Sequence, residues 1–219
     1  MELYNRQYTV MKKIKNETRE KYYEDQLEEW DLIKGNKSAA AAAVGWCDGR
    51  SNQIKRFQSL LDIGVERNDS VIDLGCGLGH MVEYFEKIGL KVHYTGIDTN
   101  ERAIKQGYQF NEATYIHGTV LDIHEKYDWG FASGTFNVGF PKSEMIGAVN
   151  QLYSNVNKGV AFNLLKRPEW FPRWTSNKEG NITYENYTPQ EIRTCFKGNI
   201  SIVENYGVEN DFTVYIRKD

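Results

Sequence analysis

The strongest constraint on this 219-residue chain is a single junction. Ser70-Val71-Ile72-Asp73-Leu74 is a short β-branched run that stops at Gly75-Cys76-Gly77-Leu78-Gly79, with a helical pattern over 79–88. Such a run reads as a buried strand, and the glycines read as a tight strand-to-helix turn whose backbone N–H groups approach a ligand. Downstream the alternation continues. Candidate strands at 92–97, 113–117, 128–133, 159–165, 199–205 and 211–217 are interleaved with candidate helices at 100–110, 142–156 and 189–196. That order implies βαβ units and a mainly parallel sheet. The last two runs are joined only by Gly207-Val208-Glu209-Asn210, which predicts a hairpin and an antiparallel strand at the end of the sheet.

Upstream, Ile54, Phe57, Leu60 and Leu61 line one face of a helix running to about Ile63. Tyr23, Leu27, Trp30 and Ile33 recur at helical spacing and predict an amphipathic helix over 17–34, ended by Gly35-Asn36. We therefore expect one domain over 51–219, with residues 1–50 as a helical arm or cap. Residues 166–188 contain two prolines and five large aromatics, Trp170, Phe171, Trp174, Tyr184 and Tyr187, without a clear period. A long loop of this kind in a compact α/β domain predicts a lid.

Charge narrows the partners. With 27 Lys and Arg against 30 Asp and Glu, the net charge of −3 gives no overall field to hold a polyanion. Lys12, Lys13, Lys15, Arg19 and Lys21 make the arm locally basic, which reads as a solvated helix face in preference to an anion contact. The longest apolar stretches, Ala39 to Gly45 and Val160 to Leu165, are far below the roughly 20 residues a membrane helix needs. The start MELYNRQYTVMKKIK has no signal-peptide core, so a cytoplasmic setting is expected. Cys47, Cys76 and Cys195 support neither a disulfide framework nor zinc, and His80, His93, His117 and His124 form no ligand pair, so no metal is expected.

The glycine turn excludes two common nucleotides. His80 stands where a dinucleotide fingerprint needs Gly or Ala, and no G-K-[ST] follows for a phosphate loop. The segment VIDLGCGLGH instead resembles the first motif of class I S-adenosylmethionine (SAM) dependent methyltransferases, with Asp73 as its acidic residue. The resemblance continues at Tyr94-Thr95-Gly96-Ile97-Asp98, where the family's acidic residue accepts both ribose hydroxyls; Asp98 follows Gly79 by 19 residues. Tyr115-Ile116-His117-Gly118-Thr119-Val120-Leu121-Asp122 is similar to the segment after the third strand that encloses adenine, although Thr119 stands where an acid is usual. Asp128 to Asn137 resembles the strand whose C-terminal end borders the methyl group. Val44-Gly45-Trp46 and Gln53 to Phe57 resemble a segment that closes over SAM in some small bacterial and phage-type members.

The resemblance implies a Rossmann-like, seven-stranded, mostly parallel sheet with one antiparallel strand, helices on both faces and an N-terminal helical cap. It implies methyl transfer from SAM, leaving S-adenosylhomocysteine (SAH), and the acidic charge balance favours a small-molecule acceptor over nucleic acid. A SAM-binding sensor or partner subunit without activity is the other alternative. The cofactor-binding set is Trp46, Arg56, Asp73, Gly75, Cys76, Gly77, Gly79, Asp98, Thr99, Thr119, Val120, Leu121, Ser133 and Gly134.

Several of these have a plainer reading. Asp98 could be an N-cap, Asp73 a turn cap, Arg56 a solvent-facing helix residue and Trp46 core filling; Cys76 reads as a small packer in preference to a nucleophile. Catalytic candidates are Asn137 beyond the fourth strand, His124 as a base and Tyr184 on the acceptor side.

Overall fold

The computed structural model describes residues 19–25, 27, 50–110, 113–167, 174–176 and 183–219. In β1 (Ser70–Leu74) the adjacent Val71 and Ile72 are both fully buried, yet they join different apolar clusters. A strand with apolar groups on both faces must be covered on both. On one side lie α1 (Arg50–Leu61), α2 (His80–Ile88) and α3 (Glu101–Phe110), which bring Phe57, Leu60, Met81, Phe85 and Ile104 to one cluster. On the other, α4 (Lys142–Ser154) and α5 (Pro189–Arg193) contribute Met145, Val149, Leu152 and Ile192.

The remaining strands are β2 (His93–Asp98), β3 (Thr114–His117), β4 (Tyr127–Ala132), β5 (Val156–Lys166), β6 (Trp174–Ser176), β7 (Thr183–Tyr187), β8 (Asn199–Glu204) and β9 (Asp211–Arg217). Seven of them lie side by side in the order β3-β2-β1-β4-β5-β9-β8. All pairs from β3 to β5 are parallel, whereas β9 is antiparallel to both β5 and β8. The expected single antiparallel strand is present, but it lies inside the sheet between β5 and β8 instead of at its end. The order reverses between β1 and β4, and in open α/β sheets ligands bind beyond the strand ends at such a switch point.

Two strands exceed the expected number, and both come from the segment read as a loop. β4 leaves β5 after Ala132↔Phe162, and β7 then pairs with β5 at Leu165↔Asn186 and Lys166↔Tyr187. β6 pairs antiparallel with β7, so the segment forms a ribbon at the C-terminal edge of the sheet. Trp170 and Phe171 lie outside the described residues. Residues 19–25 and 27 are helical as expected; the rest of the predicted 17–34 helix lies outside the described residues. Among the described residues no helix is long and apolar enough to cross a membrane.

Candidate functional site

The glycine turn is pinned to its neighbours through backbone. The N–H groups of Gly75 and Cys76 both donate to the Ile97 carbonyl at 2.7 and 3.2 Å, and the Gly77 N–H donates to Asp98 Oδ2 at 2.8 Å. Gly75 has φ +74°, and a Cβ there would meet Thr135 Oγ1 at 2.5 Å. Only glycine fits both limits. Thr135 Oγ1 in turn donates to the Leu74 carbonyl at 2.7 Å, joining the β4 end to the β1 end. Gly79 is the N-cap of α2 and stands behind the cavity wall, not in it.

These ends open on a cavity of about 1120 Å³. Asp73 and Asp98 stand in its wall with different hydrogen-bond partners. Asp73 is buried; its Oδ2 accepts from Tyr94 Oη at 2.8 Å, and Oδ1 has no partner among the described residues. Burial pushes its carboxyl up to about 7, against the hydrogen bond from Tyr94. Asp98 is also raised by burial, opposed by backbone N–H donors that include Asn100 at 2.9 Å and Gly77. The N-cap reading of Asp98 fails, because Asn100 Oδ1 accepts the Ala103 N–H at 2.9 Å in the first turn of α3.

Arg56 lines the cavity and is buried, which corrects its solvent-facing reading: Nε donates to Asp211 Oδ2 at 2.7 Å. Gln53 and Phe57, from the same face of α1, line the cavity beside it. Gln53 Nε2 and His80 Nδ1 are 3.1 Å apart, and burial, reinforced by the Arg50 charge, pulls His80 down to about 3, so the imidazole is neutral. Cys76 packs where a Cβ on Gly96 would come within 2.7 Å of its Sγ, and burial pushes its thiol well up. That suits a small packer and not a nucleophile.

Thr99, Thr119, Val120 and Leu121 line the far corner with His117, whose Nε2 is 3.0 Å from the Thr99 carbonyl. Asp122, three residues beyond Thr119, is not in the wall: its Oδ2 accepts the N–H and Oγ1 of Thr119 at 2.8 and 3.0 Å in a capping box. Leu121 is 70% exposed and offers its apolar side chain there. Gly147, Ala148 and Gln151 of α4 face the same cavity, a contribution the sequence pattern gave no reason to single out.

Ser133, Gly134, Asn137 and Tyr184 line the opposite part. Asn137 Oδ1 accepts the Leu165 N–H at 3.2 Å, and its carbonyl accepts from Glu185 N–H at 2.9 Å, which ties β7 to the loop after β4. His124 is exposed and does not reach the cavity, so its assignment as a base is not supported by its place. Arg19, Tyr23 and Leu27 close one side; Arg19 stacks 4.8 Å from the Phe140 ring centroid. Trp46 lies outside the described residues.

Residues 71–159, from β1 to the start of β5, match the family model described as a methyltransferase domain. A Mycobacterium tuberculosis protein described as a methyltransferase is 29% identical over 162 residues, which span 68% of this chain and 93% of that protein. Magnesium protoporphyrin IX methyltransferase from Synechocystis PCC 6803, solved with bound SAH, superposes with a TM-score of 0.65 at 14% identity, covering 94% of this chain and 100% of that one. The 1,6-didemethyltoxoflavin-N1-methyltransferase of Burkholderia thailandensis gives 0.61 at 13% identity, covering 90% and 87%. The matched domain carries the glycine turn, Asp73, Asp98 and the β4 end, so the chain holds a methyltransferase domain and is similar in sequence and fold to SAM-dependent methyltransferases.

Proposed function

We propose that the chain methylates a small molecule inside the 1120 Å³ cavity, with its own residues dividing between a cofactor end and an acceptor end. The observation that carries the cofactor assignment is the buried Asp73 Oδ1, which has no partner among the described residues and lies beside a glycine turn already braced by Asp98. A buried carboxylate oxygen calls for a donor, and the SAM ammonium is one. In this reading Asp98 accepts the two ribose hydroxyls and Arg56 meets the aminoacyl carboxylate. Thr99, Thr119, Val120 and Leu121 enclose adenine, and Ser133, Gly134 and Asn137 border the methyl. Tyr184 belongs to the acceptor end.

SAM supplies a methyl group made electrophilic by its sulfonium. The chain must orient an acceptor and keep water out. His80, held neutral against Gln53, serves as wall instead of base.

The small-molecule reading is supported by volume and enclosure. Sites for one drug-sized ligand run from about 300 to 1000 Å³, so a cavity of about 1120 Å³ lies above that range and suits a cofactor beside a small acceptor. Its rim includes helical residues 19, 23 and 27, which supports reading 1–50 as a cap on a 51–219 catalytic unit. Two structural neighbours are named for small acceptors, magnesium protoporphyrin IX and 1,6-didemethyltoxoflavin. A cytoplasmic setting is part of the same reading, and the free thiols of Cys76 and Cys195 are compatible with it. The test is calorimetric titration with SAM and SAH, then a panel of small acceptors scored by SAH release. Saturable release is expected. Release only with nucleic acid, falling steeply with salt, would overturn the acceptor class.

A further inference from the structure

β9 presents two unlike faces. Phe212, Val214 and Ile216 enter the apolar core, whereas Asp211, Thr213, Tyr215 and Arg217 all bond to α1 or to the turn that ends it. Asp211 Oδ2 accepts from Arg56 Nε at 2.7 Å, and Thr213 Oγ1 is 2.5 Å from Ser59 Oγ. Tyr215 Oη donates to the Ser59 carbonyl, and Arg217 Nε and Nη2 donate to the Ile63 carbonyl at 3.3 and 3.2 Å. Alternate residues of the strand thus meet the helix at Arg56 and Ser59 and the turn beyond it at Ile63.

The end of this ladder nearest the cavity is the costliest to bury. The side chains of Arg56 and Asp211 are 5% and 0% exposed. Tyr206 Oη donates to Asp211 Oδ1, so each carboxylate oxygen has a donor. The polar contacts continue to the cavity: Asn163 Nδ2 donates to Thr213 Oγ1 at 2.7 Å, and Ser133 Oγ donates to Asn163 Oδ1 at 3.0 Å. Apolar residues of similar volume often stabilise a fold as well as a buried ion pair does, so the fixed geometry of the pair is what sets it apart. An arginine side chain is long and rotamer-rich. Anchored at Nε, its guanidinium plane is set.

We propose that Asp211, held by Tyr206, is a positioning residue of the cofactor site: it fixes the Arg56 guanidinium in the cavity wall so that it meets the aminoacyl carboxylate of SAM. This rests on Arg56 being that carboxylate's partner, as read above. The test compares two ligands that share the adenosyl thioether, SAH and 5′-deoxy-5′-methylthioadenosine, the second lacking the amino acid. Both are titrated calorimetrically against the full-length protein and its variants, with thermal melts to follow folding. Asp211→Asn should weaken SAH tenfold or more and leave methylthioadenosine within about twofold. Tyr206→Phe removes one hydroxyl and should shift SAH two- to fivefold in the same direction; it carries the test if Asp211→Asn does not fold.

An equal loss for both ligands in these variants would make the pair a structural brace and overturn the proposal. If Arg56→Gln changes the SAH preference while Asp211→Asn and Tyr206→Phe do not, Arg56 keeps its role and Asp211 loses its own. If Arg56→Gln leaves that preference unchanged, the reading of Arg56 itself fails, and the positioning role with it.

Discussion

The two ends of the cavity are assembled on different sequence scales. At the proposed cofactor end, Asp73, the glycine turn, Asp98 and Thr119 come from three successive strand-to-turn junctions and are joined largely through backbone N–H groups, as in Gly75 N–H to Ile97 and Gly77 N–H to Asp98. The walls around Arg56, Asn137 and Tyr184 instead use pieces far apart in the chain. Arg56 is held from Asp211, 155 residues away, and the loop after β4 is held from β5 and β7. A local junction repeats wherever its short pattern repeats. A distant wall can change its side chains without disturbing that junction, which suits one cofactor and a variable acceptor.

The largest expected effect breaks the cofactor end. Asp98→Ala removes the proposed acceptor of both ribose hydroxyls, each a charge-assisted bond of roughly 1.5–3 kcal/mol, so SAH affinity should fall at least a hundredfold by calorimetry. Asp98 also receives the Gly77 and Asn100 N–H groups, and the melting temperature should fall with it. Unchanged SAH affinity would remove Asp98 from the site.

At the distant wall the loss should appear first in stability. Asp211→Ala leaves the Arg56 charge buried without its carboxylate, and breaking such a pair costs about 3–5 kcal/mol. For a chain of this size that is on the order of 10 °C in melting temperature. A shift below about 3 °C would mean that water or another group replaces Asp211 readily.

The same difference of scale decides what the sequence shows. Gly75 is legible because a tight turn at a strand end calls for glycine, and Asp73 and Asp98 because the resembled motif around that turn spans only about 25 positions. Arg56 has no such local mark, since a helix arginine facing solvent and one facing Asp211 look alike until β9 is placed. The placement of β9 between β5 and β8 depends on pairing across the sheet, and a hairpin pattern fits either order. β6 and β7 escape notice because they are short and because Glu185, a buried acid, interrupts the apolar alternation a strand leads one to expect. Thr119 is readable as a departure from the family, but the capping of its turn by Asp122 needs the structure.

A smaller, graded effect separates the ends by pH. Burial raises Asp73 from 3.8 to about 7, so the folded protein holds this proton in a range where the unfolded chain has lost it. The apo protein should therefore lose stability as pH rises from about 4 to 7. SAM affinity should rise over the upper part of that window, as the carboxylate forms to receive the ammonium. Melts and titrations of the wild type and Asp73→Asn check both signs. The part of each slope due to Asp73 should vanish in the variant; an identical pH dependence would assign the proton elsewhere.

The smallest expected change tests whether the ribbon at the sheet edge belongs to the acceptor end alone. Tyr184 is half-buried, lines the cavity, and bridges in antiparallel fashion to Val138 next to Asn137. Its backbone place is held by β6 on one side and by that bridge on the other, so truncating the side chain leaves the ribbon's pairing intact. Among the described residues the glycine turn is bonded to Ile97 and Asp98 of β2, and Asp98 to Asn100 ahead of α3, with none of these bonds reaching β7. Tyr184→Ala should then leave SAH affinity within about 0.5 kcal/mol, the usual range for changes away from a contact. The same variant should raise the KM for an identified acceptor several-fold, because an aromatic wall contributes both area and orientation. If SAH affinity dropped in step with the acceptor effect, the two ends would share this residue and the division between them would fall.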